Sequence, residues 1–194
     1  MNVQIDELQT IMEEFLPKKR FLHTQGVQYL ASCLSMCYGE SAERAMLAGL
    51  LHDNAKYIDF ELAIKECERY QLPVSDVERR NPFLLHGKLG AYYAKMKYGV
   101  EDEEILSAIT YHTTGKPNMT FLEKVIFLSD YIEPRRVQPT TPTLDVIRTT
   151  AFSNLDLAVY YALDNTVRYL NNTNKEIDEL TVKTLVYYKK ALNL

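Results

Sequence analysis

Apolar residues recur every three or four positions along nearly the whole chain, which is the spacing of one face of an α-helix. Between residues 18 and 38, such a stripe runs through Val27, Leu30 and Leu34. Residues 120–132, with the sequence TFLEKVIFLSDYI, are mostly apolar, which predicts a helix buried on most sides. No series of β-strand-like segments accompanies these stripes. The pattern therefore predicts an all-α fold.

Helix boundaries follow from N-cap residues, glycines and prolines between the stripes. The predicted helices span residues 18–38, 41–56, 59–70, 86–98, 102–114, 120–132, 144–170 with an internal break, and 178–192. Residues 77–82 are predicted to form a loop or short turn, and residues 135–143, with two prolines, an extended loop. We expect one helical domain over residues 1–194, with a functional core at about 18–134 and a C-terminal helical extension at about 144–194.

The four histidines of the chain lie between positions 23 and 112. His23 precedes Val27 by four positions on the same apolar stripe, and His52 belongs to a stripe with Leu51 and Ala55. An imidazole facing the core must find a polar partner, because its desolvation is otherwise unfavourable. These two histidines are therefore predicted to line a buried polar site.

Two aspartates extend this site. Asp53 directly follows His52, and Asp130 lies in the apolar string VIFLSDYI. A buried ionised carboxylate needs a cation, and Lys124, the nearest basic residue on the predicted helix of Asp130, faces another side. A metal ion would satisfy His23, His52, Asp53 and Asp130 together. Imidazoles and carboxylates suit Fe, Mn or Zn, with Mg an option if waters complete the shell.

The order of these residues resembles the H…HD…D signature of the HD-superfamily phosphohydrolases, whose helical bundles bind metal through those four side chains. Longer strings resemble the bacterial symmetrical bis(5′-nucleosyl)-tetraphosphatases, enzymes that split diadenosine tetraphosphate into two ADP with bound iron. The strings are LAGLLHDNAK, LLHGKLGAYYAK, AITYHTTGKPNMTFLEKVIFLSDYIEPRR and ALDNTVRYL. The resemblance implies a single HD-type domain, a divalent metal, iron first, and hydrolysis by a metal-activated water.

The same resemblance implies the roles of individual residues. His52 and Asp53 are the expected catalytic residues, and Asp53 is either only a ligand or also the proton acceptor for the attacking water. His86 and His112 are expected to contact phosphate or to bind a second metal. The implied substrate contacts are His23, Asp53, Asn54, Ala55, Lys56, His86, His112, Asp130, Arg136, Thr173, Asn174, Lys175, Glu176, Ile177 and Asp178. Asn54 and the string NNTNKEID depart from the family pattern, which leaves nucleotide contacts less defined than the metal site.

Net charge and hydropathy limit the kinds of binding partner that we expect for this protein. A net charge of −4 argues against a broad nucleic-acid or membrane-surface interface. No apolar run reaches the length of a membrane span, and the N-terminal residues lack a signal-peptide pattern, so we expect a cytoplasmic protein. The expected partner is a small nucleotide, and a homodimer stays open. Three alternatives remain: an HD phosphohydrolase of alarmones or dNTPs, a di-iron oxygenase using His86 and His112, and a non-catalytic module binding metal or nucleotide.

Overall fold

Helices make up the regular structure of the computed structural model, which describes residues 5–194. The α-helices are α1 Ile5–Phe15, α2 Lys18–Cys37, α3 Ala42–Leu51, α4 Phe60–Arg69, α5 Asp76–Arg80, α6 His86–Met96, α7 Glu103–Tyr111, α8 Phe121–Ile132, α9 Leu144–Ala151, α10 Leu155–Asn172 and α11 Glu179–Ala191. A 3₁₀-helix, Pro82–Leu85, precedes α6. No strand occurs within residues 5–194, which confirms the predicted all-α class. Residues 1–4 of the predicted domain lie outside the described part.

Side-chain caps fix the N-terminal starts of most of the α-helices. Asp102 and Asp178 accept hydrogen bonds from the first turns of α7 and α11, where the sequence predicts those helices to begin. The predicted break between residues 144 and 170 separates α9 from α10, and Asn154 caps the second of these helices. Where a loop or short turn was predicted over residues 77–82, residues 76–80 form a short helix, because Ser75 and Glu78 make a reciprocal capping box.

The helix that carries the HD pair is shorter than predicted. It was expected to continue to Lys56, but α3 ends at Leu51 and residues 52–57 form consecutive turns. The amides of Asn54 and Lys56 donate to carbonyls three residues back, at 3.2 and 3.0 Å, instead of four. His52 and Asp53 therefore lie just beyond a helix end, where backbone carbonyls are free to bind side chains.

The centre of the molecule is α2, which packs against α3 and α8. Gly49 permits the close approach of α3, since a Cβ at this position would lie 2.9 Å from the Cα of Gln28 on α2. Helix α7 packs against α3, α6 and α8, so the segments that carry the four histidines surround one region of the core.

The three C-terminal helices share the main hydrophobic cluster with the N-terminal ones. Helix α10 packs against α8, α9 and α11, and buried residues of this cluster extend from Leu8 to Tyr188. Asn165 on α10 accepts a hydrogen bond from the Thr141 amide (3.2 Å), which attaches the loop after α8 to the extension. Within residues 5–194, none of the helices has the length and apolar character needed to span a membrane.

Candidate metal centre

Four buried imidazoles meet where the ends of several helices converge. His23 lies inside α2, His52 and His112 directly follow α3 and α7, and His86 is the first residue of α6. Their exposed fractions are at most 8%. The rings of His52 and His112 have centroids 5.1 Å apart, and those of His86 and His112 4.8 Å. The structure thus confirms that His23 and His52 face inward and adds His86 and His112 to the same cluster.

Asp130, on α8, approaches two of these imidazoles. Its Oδ1 lies 2.9 Å from Nε2 of His23 and 3.9 Å from Nε2 of His52. The helices α2 and α8 pack directly against each other, which brings the first and last predicted ligands together across 107 residues of sequence. These three side chains form one group with the spacing of a metal site.

Asp53 is the centre of a second group. Its Oδ2 lies 3.3 Å from Nε2 of His52, and its Oδ1 lies 3.3 Å from Nε2 of His86 and 3.6 Å from Nε2 of His112. Gly87 allows this arrangement, because a Cβ there would lie 2.5 Å from the Thr110 carbonyl oxygen of α7. His52, Asp53 and His112 have metal-site spacing, so His52 is common to both groups.

Each imidazole of the cluster is oriented by a hydrogen bond at Nδ1. His52 and His112 donate to the carbonyls of Gly49 and Ile109, both at 2.7 Å, and His86 to that of Phe83. Nδ1 must be the protonated nitrogen in these bonds, since a carbonyl can only accept. When these rings are neutral, the lone pairs of Nε2 therefore face the centre of the cluster, as in histidines that ligate metals.

Several atoms at this centre lack hydrogen-bond partners. Nε2 of His23, Nε2 of His52 and Oδ1 of Asp53 are buried without one. Nε2 of His86 and Nε2 of His112 lie 3.0 Å apart, so their lone pairs need a proton or cation nearby. Nitrogen and carboxylate donors with unsatisfied lone pairs fit a divalent metal of the Fe, Mn or Zn type. The residues present thus suit the group that the sequence predicts.

Three basic side chains surround the carboxylates. Arg20 Nη1 lies 2.9 Å from Oδ2 of Asp53, and Arg136 Nη2 lies 2.8 Å from Oδ1 of Asp130. Lys56 Nζ donates to Nε2 of His86 at 2.9 Å. The sequence argument considered only basic residues on the helix of Asp130, but the chain turns back after α8 and brings Arg136 to this carboxylate. The case for a metal rests instead on the unpartnered imidazole nitrogens.

Burial and neighbouring charges together set the pKa values of these groups. Burial opposes ionisation of Asp53, but the surrounding imidazoles hold the pKa of its carboxyl well below the usual range. Burial also opposes ionisation of Asp130, and His23, His52 and Arg136 together keep its pKa low. Burial and the Lys56 ammonium lower the pKa of His86 to about 4. At neutral pH the centre therefore contains two carboxylates and a neutral His86.

A cavity of about 820 Å³ opens beside this centre. Asp130 of the centre lines it together with Arg136 and Thr113, and α10 and the loop after α8 supply most of the remaining wall. The volume lies within the range of about 300–1,000 Å³ common for small-molecule sites. Aromatic side chains, Tyr131 and Tyr169, also line it. The shape and lining suit an anionic ligand with a flat ring system.

Some of the predicted substrate contacts line this cavity, and others lie elsewhere in the structure. Glu176 and Asp178 line its wall, and Glu176 also accepts hydrogen bonds from Arg80. The side chain of Asn54 is buried and donates to the Gly90 carbonyl at 2.9 Å, and Ala55 belongs to a separate apolar cluster under α4 and α6. Thr173, Asn174, Lys175 and Ile177 belong to the connection between α10 and α11. Direct ligand contact by these residues stays a prediction.

Two residues of the site were not predicted. Arg20 lies three positions before His23, a helical spacing that could have indicated its place beside the HD pair. Glu133 is 2% exposed, and its Oε1 lies 3.2 Å from Nδ1 of His23. Its neighbour Pro134 marks a helix end, but nothing in the local sequence indicates that this carboxylate turns inward.

Comparison with known proteins supports the same assignment. The sequence profile of the HD domain family matches residues 20–135, the segment that contains both metal-site groups. The chain belongs to the HD domain family. The family resemblance predicted from the histidine and aspartate pattern is thereby confirmed.

Curated relatives place the chain more narrowly within this family. A symmetrical bis(5′-nucleosyl)-tetraphosphatase of Halalkalibacterium halodurans is 39% identical over 90% of this chain and 91% of its own length. The protein of the same name from Staphylococcus aureus is 36% identical over 96% and 95%. A crystal structure from Clostridium acetobutylicum, described as a predicted HD superfamily hydrolase involved in NAD metabolism, superposes with a TM-score of 0.92. It is 35% identical and covers 97% of this chain and 98% of its own.

Proposed function

We propose that this protein is a metal-dependent hydrolase that cleaves diadenosine tetraphosphate symmetrically into two ADP. Its relatives with this activity in their names match about nine-tenths or more of the chain. The observation that carries the proposal is that Asp130, a member of the histidine–aspartate centre, lines the 820 Å³ cavity together with Arg136. A nucleoside in the cavity would direct its phosphates toward Asp130 and Arg136.

The metal ligands we propose are His23, His52, Asp53 and Asp130, with His112 available to a second ion beside Asp53. When bound, a divalent cation supplies positive charge for the polyphosphate and lowers the pKa of a coordinated water. We propose iron as the native ion, because the resemblance implies it and the nitrogen-rich donor set suits it.

Basic side chains of this chain would bind the phosphates. Arg136 is one-third exposed, lines the cavity and presents a planar guanidinium suited to two phosphate oxygens. Lys56 is about one-quarter exposed and adjoins His86. Both exchange a bond inside the protein for one to the substrate, so we expect them to act mainly in binding and in stabilising the leaving ADP.

A carboxylate oxygen of Asp53 lies within 3.6 Å of Nε2 in each of His52, His86 and His112. Its low pKa favours a ligand that stays ionised, and proton acceptance from the attacking water is the alternative role. An Asp53→Asn variant separates the two roles if its metal content is measured alongside turnover. Full turnover with bound metal would exclude proton acceptance by Asp53.

Product analysis tests the proposed function. Metal-loaded protein is incubated with diadenosine tetraphosphate, and the nucleotides are separated by chromatography. We expect ADP alone, with no product from chelated protein or from His52→Ala. ATP and AMP in equal amounts would contradict symmetrical cleavage. Intact substrate in the presence of bound metal would contradict the substrate assignment. The cytoplasmic location and a homodimer stay predictions.

A further inference from the structure

The hydrogen-bond partner at Nδ1 distinguishes His23 from the other three histidines. His52 and His112 immediately follow helix ends, so their Nδ1–H groups reach carbonyls of the last helical turn, which no helical amide occupies. His23 lies inside α2, where the carbonyls of the preceding turn already accept backbone hydrogen bonds. Its Nδ1 instead faces the Glu133 carboxylate at 3.2 Å.

Glu133 is built into this position. It is the first residue after α8 and is 2% exposed. Its Oε2 accepts a hydrogen bond from the Arg135 amide at 2.8 Å, which leaves Oε1 directed at His23. A buried carboxylate without a cationic partner is unfavourable. A turn at this point does not by itself require a glutamate, because a serine or asparagine side chain would also accept a hydrogen bond from the Arg135 amide.

Gly26, one turn beyond His23 on α2, makes room for this carboxylate. A Cβ at residue 26 would lie 2.6 Å from Oε2 of Glu133 and 3.4 Å from Nη1 of Arg135. Glycine inside a helix is unfavourable relative to alanine. The space that the Glu133 carboxylate occupies therefore explains why residue 26 is a glycine.

We propose that Glu133 is a positioning residue of the metal centre, which fixes His23 with its proton on Nδ1, and that Gly26 provides the space for it. A carboxylate at Nδ1 directs the Nε2 lone pair to the metal and makes it a stronger donor than a carbonyl partner would. His23 then becomes the most strongly donating imidazole of the group formed with His52 and Asp130. The inference rests on the proposed metal centre but not on the identity of the substrate.

The test measures metal affinity in full-length protein that has been stripped with a chelator. Co²⁺ is titrated into wild type, Glu133→Gln, Gly26→Ala and the control Glu123→Gln, and its visible absorption is recorded. Glu123 is a matched control, because it is an equally buried carboxylate at the other end of α8, paired with Lys116. We expect binding about 10- to 100-fold weaker in both test variants, with unchanged affinity in the control.

A structural role for Glu133 would give a different result. Folded Glu133→Gln protein that binds Co²⁺ with wild-type affinity and absorption would overturn the proposal. If neither test variant folds by circular dichroism, nitrogen NMR of zinc-loaded wild type decides. A proton on Nδ1 of His23 with Nε2 bound to zinc supports the proposal, and the opposite tautomer overturns it. None of these measurements depends on hydrolysis, so the result is the same whichever substrate the protein cleaves.

Discussion

Basic side chains around the metal centre are bonded to other protein side chains at positions where a polyphosphate would bind. Lys56 is the clearest case, because Nζ donates to Nε2 of His86 at 2.9 Å and lies 3.6 Å from Oδ1 of Asp53. Its side chain is one-quarter exposed, so a phosphate oxygen can replace the imidazole as its acceptor. We interpret Lys56 as a phosphate-binding residue rather than a structural ion pair.

Replacement of Lys56 by methionine tests this role. A hydrogen bond to a charged group contributes about 1.5–3 kcal/mol, which corresponds to an increase of about 10- to 100-fold in KM for diadenosine tetraphosphate. Metal content should not change. Lys65→Met is the control, since Lys65 is exposed on α4 and its Nζ lies 4.0 Å from Glu61, which is also exposed. An unchanged KM in Lys56→Met would assign Lys56 to structure alone.

The sequence predicted the orientation of some side chains at the metal centre better than that of others. His23 and His52 continue apolar helical stripes, so their inward orientation follows from helical periodicity. The cation beside Asp130 was not predicted, because Arg136 reaches it through a turn that periodicity does not describe. Glu133 was missed for the same reason. Its inward orientation depends on the close approach of α2 at Gly26.

The end of α8 determines where Glu133 and Arg136 lie. Arg148, on α9, donates to the carbonyls of Ile132, Glu133 and Arg136 at 2.9, 3.1 and 3.0 Å. One guanidinium therefore satisfies three carbonyls at and just beyond the end of α8. The C-terminal extension thus contributes to the metal centre without supplying a ligand.

Arg148→Ala should loosen this turn. Unpaired part-buried carbonyls are unfavourable, so we expect the free energy of unfolding to fall by about 1–3 kcal/mol and KM to rise as Arg136 loses its position. Urea denaturation and steady-state kinetics measure the two effects. Arg79→Ala removes an exposed arginine paired with Glu68 and should change stability by about 0–1 kcal/mol. Equal effects of the two substitutions would contradict the role of Arg148.

The contact between α6 and α7 sets the distance between His86 and His112. Gly87→Ala would place a methyl group 2.5 Å from the Thr110 carbonyl oxygen, so α6 must move away. We expect a loss of stability of about 1–3 kcal/mol and lower hydrolytic activity.

Gly90→Ala, on the same helix, is the control for this prediction. Its nearest neighbours would be the side chains of Ile109 and Asn54, at 3.3 and 3.4 Å, which adjust more easily than backbone. Thermal unfolding and turnover of both variants are compared. A smaller effect of Gly87→Ala than of Gly90→Ala would contradict this account of the α6–α7 contact.

Helix boundaries show what local sequence determines. The starts of α7, α8 and α11 were predicted to within a few residues, because Asp102, Thr120 and Asp178 cap their own first turns. The early end of α3 was not predicted. It depends on the turns that contain the HD pair and on the bond from Asn54 to the distant Gly90 carbonyl, which no local pattern encodes.

At the scale of the whole molecule, the metal centre joins segments far apart in sequence. Its proposed ligands come from α2, the turn after α3, the end of α7, and α8, so an unfolded chain cannot offer the same site. Metal binding should therefore stabilise the fold, by about 2.7 kcal/mol at a free metal concentration one hundred times the dissociation constant. Calorimetric melting with added Mn²⁺ measures this shift. His52→Ala should lose it, and an equal shift in that variant would place the stabilising metal elsewhere.

The central claim is that the histidine–aspartate centre holds the metal that drives symmetrical hydrolysis. The most direct measurement follows ADP release from diadenosine tetraphosphate while metal is returned stepwise to chelated protein, with bound metal quantified in the same samples. We predict that ADP release rises from near zero in proportion to bound metal and that no ATP or AMP forms. Stripped protein that releases ADP as fast as loaded protein would contradict the account.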